Sequence, residues 1–194
     1  SLWYNASMIT VGNLSIAKFE LDMAKSVHLL SLDEDNRRFM PDEVFESEEI
    51  AREVIADLID CYDSEEGPFV YPLLLDGKHI GHIELVKIDA GYEVGYHVGK
   101  PFCGQGLASK ALVAFLPFVR EKFGLDKVFG ICHSQNIASV KTLERAGFER
   151  YEVSNFAKSG HYSNHNNGYW LREEYLGLGL SASSLLKDEI FDEN

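Results

Sequence analysis

The sequence predicts an α/β fold with a mixed, mostly antiparallel central sheet flanked by helices, and three observations carry that prediction. The hydrophobic pattern runs strand, two helices, three strands, helix, strand, helix, two strands. The three successive strands are separated only by tight turns, which makes them an antiparallel meander. Two strand-to-helix junctions, Val98/Gly104 and His133/Asn136, then open on one edge of the sheet.

Taken in order, Ile9 to Glu20 alternates loosely and reads as a first strand, and "LDMAKSVHLLSLDEDNRRFM" carries Met23, Val27 and Leu30 at helical spacing. Ser47 opens a second helix, whose Ile50, Val54, Leu58 and Cys61 fall on one face, and Gly67-Pro68 ends it. "FVYPLLL" and "HIGHIELVKI" flank an Asp76-Gly77 turn, and "YEVGYHV" is the third meander strand. Leu107, Ala111, Phe115 and Phe118 form the stripe of a helix closed by Gly124, with a kink expected at Pro117. "KVFGICH" is a short strand, Asn136 caps a helix ending at Gly147, and "RYEVSNFA" and "NGYWLREEY" are two more strands. A Gly-, Ser- and acid-rich tail follows from Gly177, so the domain is expected over residues 8–176 and the tail over 177–194.

The bulk numbers narrow the function. A chain of 194 residues, 45% hydrophobic and 25% charged, has enough apolar surface for one domain core. No apolar run is long enough for a membrane span and no basic segment leads into an apolar one near residue 1, so a cytoplasmic protein without membrane contact is expected. A net charge of -13 argues against nucleic acid and for a cationic or amine partner. Cys61, Cys103 and Cys132 are too widely spaced for a paired metal or redox motif and read as free thiols.

The chemistry concentrates in "VGKPFCGQGLASKAL", Val98 to Leu112. Glycines at a strand-to-helix junction let a ligand approach the backbone, and the free N–H groups of the first helical turn attract an anion such as a pyrophosphate. A P-loop is excluded because no Gly-Lys-Ser/Thr follows Gly99 and Gly104. A dinucleotide fingerprint is nearly met by Gly104, Gly106 and Ser109, but the preceding antiparallel strands contradict a βαβ start, and Asp126 precedes a strand rather than ending one.

"EVGYHVGKPFCGQGLASKAL" followed by "ICHSQNIASVKTLERAGF" resembles the acetyl-coenzyme A binding core of GNAT N-acetyltransferases, within the branch that includes ribosomal-protein N-terminal acetyltransferases. The family's loop pattern, Arg/Gln-x-x-Gly-x-Gly/Ala, is met by Gly106 and Ala108 with Gly104 and Gln105 between, and departs at Cys103. Asn136, Ser139 and the "AGF" of Ala146 to Phe148 also match. The resemblance implies the GNAT fold and direct transfer of an acetyl group from acetyl-coenzyme A to a primary amine of a protein N-terminus, a polyamine or another small molecule. It implies Glu93 as the base, with Glu84 on the neighbouring strand as the alternative, and places Tyr96, His97 and Val98 beside the thioester and pantetheine. Cys103, Gly104, Gln105, Gly106, Leu107 and Ala108 would take the pyrophosphate through their backbone, with Ser109 as a hydroxyl donor and Lys100 and Lys110 as local positive charge. Asn136 is a coenzyme contact or a helix cap, and Ser139 a proton donor. Leu143 stands where many family members have a Tyr. A coenzyme A sensor or scaffold without catalysis is the alternative function.

No metal is expected: His161 and His165 sit in a loop-like stretch without a complete ligand set. Cys103, close to a helix N-terminus, is a candidate for a lowered pKa, although packing and coenzyme contact suit it better. A second copy of the chain is a candidate partner. From Phe148 onward, about forty residues resemble oxygen-independent coproporphyrinogen oxidase and heme-chaperone radical SAM proteins. The CxxxCxxC cluster motif of that chemistry is absent, which leaves a fused or borrowed segment.

Overall fold

A computed structural model describes residues 8–133, 135–150 and 175–179. The chain divides into two compact units, Ser1–Lys127 and Val128–Asn194.

In the first unit, the expected opening strand is a hairpin of β1 (Ile9–Val11) and β2 (Leu14–Ile16), because Gly12-Asn13 is a hairpin turn pair that reverses the chain. The helical stretch that follows is likewise broken in two, α1 (Ala24–Ser31) and α2 (Glu34–Phe39). Asp33 makes the break: its backbone is extended and its carboxylate accepts the Asn36 N–H at 2.8 Å, so a new helix starts there. Asn36, 2% exposed, donates its side-chain amide to the carbonyls of Ser31 and Glu43 and so fixes the path of residues 31–43.

Ser47 caps α3 (Glu48–Cys61) as its sequence position demands, accepting the Ile50 N–H at 3.2 Å. The buried face is shifted from the expected one, with Leu58 common to both. Ala51 and Ile55 are fully buried against Phe19, Ala24 and Val70, with Leu58 and Ile59 beside them, while Ile50 is 44% exposed. Small Ala51 lets the helix approach closely, and that rotates Ile50 outward.

Strands β3 (Phe69–Leu75), β4 (Lys78–Ile88) and β5 (Gly91–Val98) form the expected meander and continue the antiparallel order β1-β2-β3-β4-β5. Alternation then sorts their side chains. Phe69, Tyr71, Ile83, Leu85 and Val94 share one face with α4 (Leu107–Phe123), where the Tyr71 ring lies 5.6 Å from that of Phe115 and Phe69 lies 4.5 Å from Phe123. On the other face Val70 joins the α1–α3 core, and next to it the surface of β4 and β5 turns polar with His82, Glu84, Glu93, Gly95 and His97. Helix α4 runs through Pro117 on its exposed side, next to a half-exposed Val113 whose carbonyl can be solvated in place of the lost bond.

In the second unit, β6 (Phe129–His133) leads to α5 (Ile137–Arg145), then β7 (Glu149–Arg150) and β8 (Tyr175–Gly179). Strand β8 lies between β6 and β7 and is antiparallel to both. The expected strands over 150–157 and 167–175 fall outside the described residues except at their ends, 150 and 175. The expected boundary between residues 176 and 177 lies inside β8. Val128, Phe129, Val140, Leu143 and Phe148 are buried. Among the described residues no helix is long and apolar enough to cross a membrane.

Candidate active site

The path from β5 to α4 turns through Lys100–Phe102 and reaches the helix at Gly106. Gly104 and Gly106 adopt φ of 78° and 73°, a region that strains any residue with a Cβ. No protein atom lies within 4 Å of where such a Cβ would stand, so these glycines border open space. Residues 103–106 are exposed, no side chain caps α4, and its first bond is from the Lys110 N–H to the Gly106 carbonyl at 3.0 Å. The N–H groups of Gly106, Leu107, Ala108 and Ser109 therefore have no acceptor within the helix and gather at the positive end of a 17-residue dipole. This cradle suits a pyrophosphate.

Of the two expected lysines, Lys100 has its ammonium bound by Asp35, whereas the Lys110 ammonium lies over Gly12 in the β1–β2 turn.

The polar face lies on the strand that feeds this loop. Antiparallel register sets Val86 opposite Glu93, Glu84 opposite Gly95 and His82 opposite His97, so that Glu84 and Glu93 are diagonal neighbours. The Glu84 carboxylate occupies the position a side chain on residue 95 would need, and Glu84 is 8% exposed. From the segment organised by Asn36, Glu43 meets His82 at 3.1 Å and Asp33 meets His97 at 3.4 Å, with the two imidazole rings 5.6 Å apart. One side-chain nitrogen or oxygen from each of Glu43, His82 and Glu84 lies within 4.8 Å of the other two.

These neighbours push the ionisable groups in different directions. Burial opposes an imidazolium at His82, but the charge and hydrogen bond of Glu43 and the charge of Glu84 outweigh it and raise its pKa. His97 is lowered, first by burial and then by His82, against the pull of Glu43 and Asp33. Glu93 has burial and the Glu84 charge against its ionised form, and is pushed up to about 8.

Residues 13–149 match the family described as acetyltransferase (GNAT) domain. The chain belongs to the GNAT acetyltransferase family. It is 26% identical over 146 residues to the uncharacterized N-acetyltransferase YnaD of Bacillus subtilis, covering 73% of this chain and 82% of that protein. A GNAT acetyltransferase from Bacillus anthracis superposes with a TM-score of 0.68 at 22% identity over 88% of this chain and 95% of its own. The Salmonella typhimurium enzyme that modifies the N-terminal serine of a 50S ribosomal subunit protein gives 0.64 at 16% identity, over 87% and 94%. The self-immunity acetyltransferase MccE, solved with acetyl-CoA and AMP, gives 0.66 at 15% identity, over 87% and 92%. The second resemblance is matched too: the radical S-adenosyl methionine domain-containing protein 1 of Danio rerio is 50% identical over 57 residues, 29% of this chain but only 12% of that protein.

With the GNAT fold shown, the expected site residues fall into two groups. Glu93, Tyr96, His97, Val98 and the loop from Cys103 to Ser109 lie consecutively on β5, the turn and the start of α4, with His97 on the polar face and Tyr96 on the opposite one. In the second unit, the Asn136 carbonyl oxygen accepts the Ser139 N–H at 3.1 Å, so Asn136 caps α5, while Leu143, 1% exposed, is a core residue. His161 and His165 lie outside the described residues.

Cys103 corrects an expectation. It stands three residues before the Gly106 cap, its thiol directed to the carbonyls of Val98 at 3.1 Å and Gly99 at 3.7 Å, and its pKa is raised, first by burial, with Asp33 and Asp35 adding and Lys100 opposing. It is therefore not an activated thiolate. Sequence reasoning missed Asp33, Glu43 and His82. "HIGHIEL" signals His82 through its alternation of polar and apolar residues, but Asp33 and Glu43 sit in an acid-rich helical stretch where nothing local marks them.

Proposed function

We propose that this GNAT acetyltransferase moves an acetyl group from acetyl-coenzyme A to a primary amine, with Glu93 as the base that takes the amine proton. The observation that carries the proposal is Glu93 itself. A carboxyl pushed up to about 8 stands one strand-length from an anion-ready helix start, and such a proton affinity suits the deprotonation of an ammonium far better than an ordinary carboxylate.

The backbone N–H groups of residues 104–109 hold the pyrophosphate, and the end of β5 lies along the pantetheine. Bound there, acetyl-coenzyme A supplies the acetyl group as a thioester, whose carbon–sulfur bond breaks as the carbon–nitrogen bond forms. Glu93 accepts the proton the nitrogen loses, directly or through a water, and Ser139 is the donor proposed for the sulfur. Asp33, Glu43 and Glu84 give the polar face a negative character that suits a cationic acceptor. The acceptor is a protein N-terminus, as for the Salmonella typhimurium enzyme, or a polyamine or other small amine.

Thiol release from acetyl-coenzyme A across peptides, polyamines and aminoglycosides tests the proposal. Turnover with any of these amines supports it. Tight binding of acetyl-coenzyme A without turnover across the whole panel contradicts it and favours a sensor or scaffold, the reading to which the buried Leu143 would belong.

A further inference from the structure

Two carboxylates share the polar face of β4 and β5, and their surroundings differ. Glu84 has His82 beside it, itself held by Glu43, and a seat over Gly95 that a side chain would fill. Glu93, set against Val86 in the register, has the Glu84 charge as its resolved neighbour. Two like charges as diagonal neighbours on one face cannot both ionise freely, and a carboxylate fixed at Glu84 raises the cost of ionising Glu93.

We infer that Glu84 is a positioning residue for amine deprotonation: seated over Gly95 and beside His82, it fixes a negative charge diagonally across the strands from Glu93, the base. This rests on the proposal that Glu93 is that base. Charged and titratable groups on the face that carries Glu93 are His82 and Glu84 on β4 and His97 on β5, with Asp33 and Glu43 from residues 31–43 set against the two histidines. Asp33 and Glu43 are each in contact with a histidine, whereas the Glu84 charge acts on Glu93 directly. Gly95 serves the same arrangement, because an alanine there would take the space of the Glu84 carboxylate.

The test needs no acceptor. The full chain, labelled with carbon-13 at glutamate Cδ, is titrated by NMR from pH 5 to 10 as wild type, Glu93→Gln, Glu84→Gln, Glu84→Met and Glu84→Asp. The expected wild-type spectrum has one carboxyl titrating near pH 8, lost in Glu93→Gln. In Glu84→Gln and Glu84→Met its midpoint falls by roughly one pH unit, and in Glu84→Asp, which keeps the charge, by less than half of that. Two neutral variants of different polarity guard against either failing to fold. A midpoint that stays in place in a folded neutral variant overturns the inference. Thiol release separates it from the base assignment: if Glu93→Gln loses turnover but the neutral Glu84 variants leave the midpoint unmoved, Glu93 stands as the base and Glu84 has no part. If the midpoint moves but Glu93→Gln turns over like wild type, the coupling is real and the base lies elsewhere.

Discussion

Glu84 and Glu93 show at residue scale how one sheet face gives the same functional group two roles. Glu84 helps to raise the pKa of the nearby His82 imidazole, whereas burial and the Glu84 charge hold the proton on Glu93. Cys103 shows the converse, a position that promises reactivity and an environment that removes it. With its thiol directed to two carbonyls and its pKa raised, Cys103 should be alkylated by iodoacetamide at pH 7.5 more slowly than free cysteine, measured by mass spectrometry of the labelled peptide. Faster labelling would mean that the thiolate is favoured after all.

At the scale of elements, the α4 N-terminus and the α3 face make separate predictions. Gly106→Val places a branched side chain at φ 73° and in the open space of the loop, so acetyl-coenzyme A affinity should fall roughly tenfold or more by calorimetry. Unchanged affinity would remove the loop from the coenzyme site. For α3, Ile55→Ala should lower stability by roughly 2–5 kcal/mol in urea unfolding, whereas Ile50→Ala, at a half-exposed position, should change it by less than about 0.5 kcal/mol. These elements also show what was legible in the sequence. The meander, the Ser47 cap, the glycine loop and Asn136 were readable because each rests on a local rule: alternation, a capping side chain, a positive φ. The α1–α2 break was not, because Asp33 looks like any acid in a helical stretch until its carboxylate is seen to bond the Asn36 N–H. Nor was the α3 face, which close packing at Ala51 sets and periodicity alone does not. The two His–carboxylate pairs join residues 33 with 97 and 43 with 82, a tertiary fact with no local signature.

For the whole molecule, the buried titratable groups predict a stability plateau on the acid side of neutrality and a loss above it. His79, lowered to about 4 chiefly by burial, binds a proton more readily unfolded than folded between about 4 and its ordinary 6.5, so its contribution is present above 6.5 and is lost as pH falls. Glu93 has the opposite sign. Its folded affinity is raised from 4.5 to about 8, so the folded state holds the extra proton in that interval and stability falls as pH rises through it; raised His82 acts in the same direction above its ordinary value. Each such group contributes about 1.4 kcal/mol per pH unit across its window. Between about pH 4.5 and 6.5 the opposing slopes of His79 and Glu93 nearly cancel, so the melting temperature should stay flat there and fall between about 6.5 and 8, and Glu93→Gln should flatten that fall. An equally steep alkaline loss in that variant would mean that Glu93 is not the proton holder. The central claim, that Glu93 is the base of an acetyl transfer to an amine, is tested most directly by the pH dependence of kcat/KM for thiol release with the most active amine of the panel. The account predicts a rise to a plateau with a midpoint near 8 in the wild type, and in Glu93→Gln a loss of about a hundredfold or more together with that limb. A Glu93→Gln profile that superimposes on the wild type would contradict it.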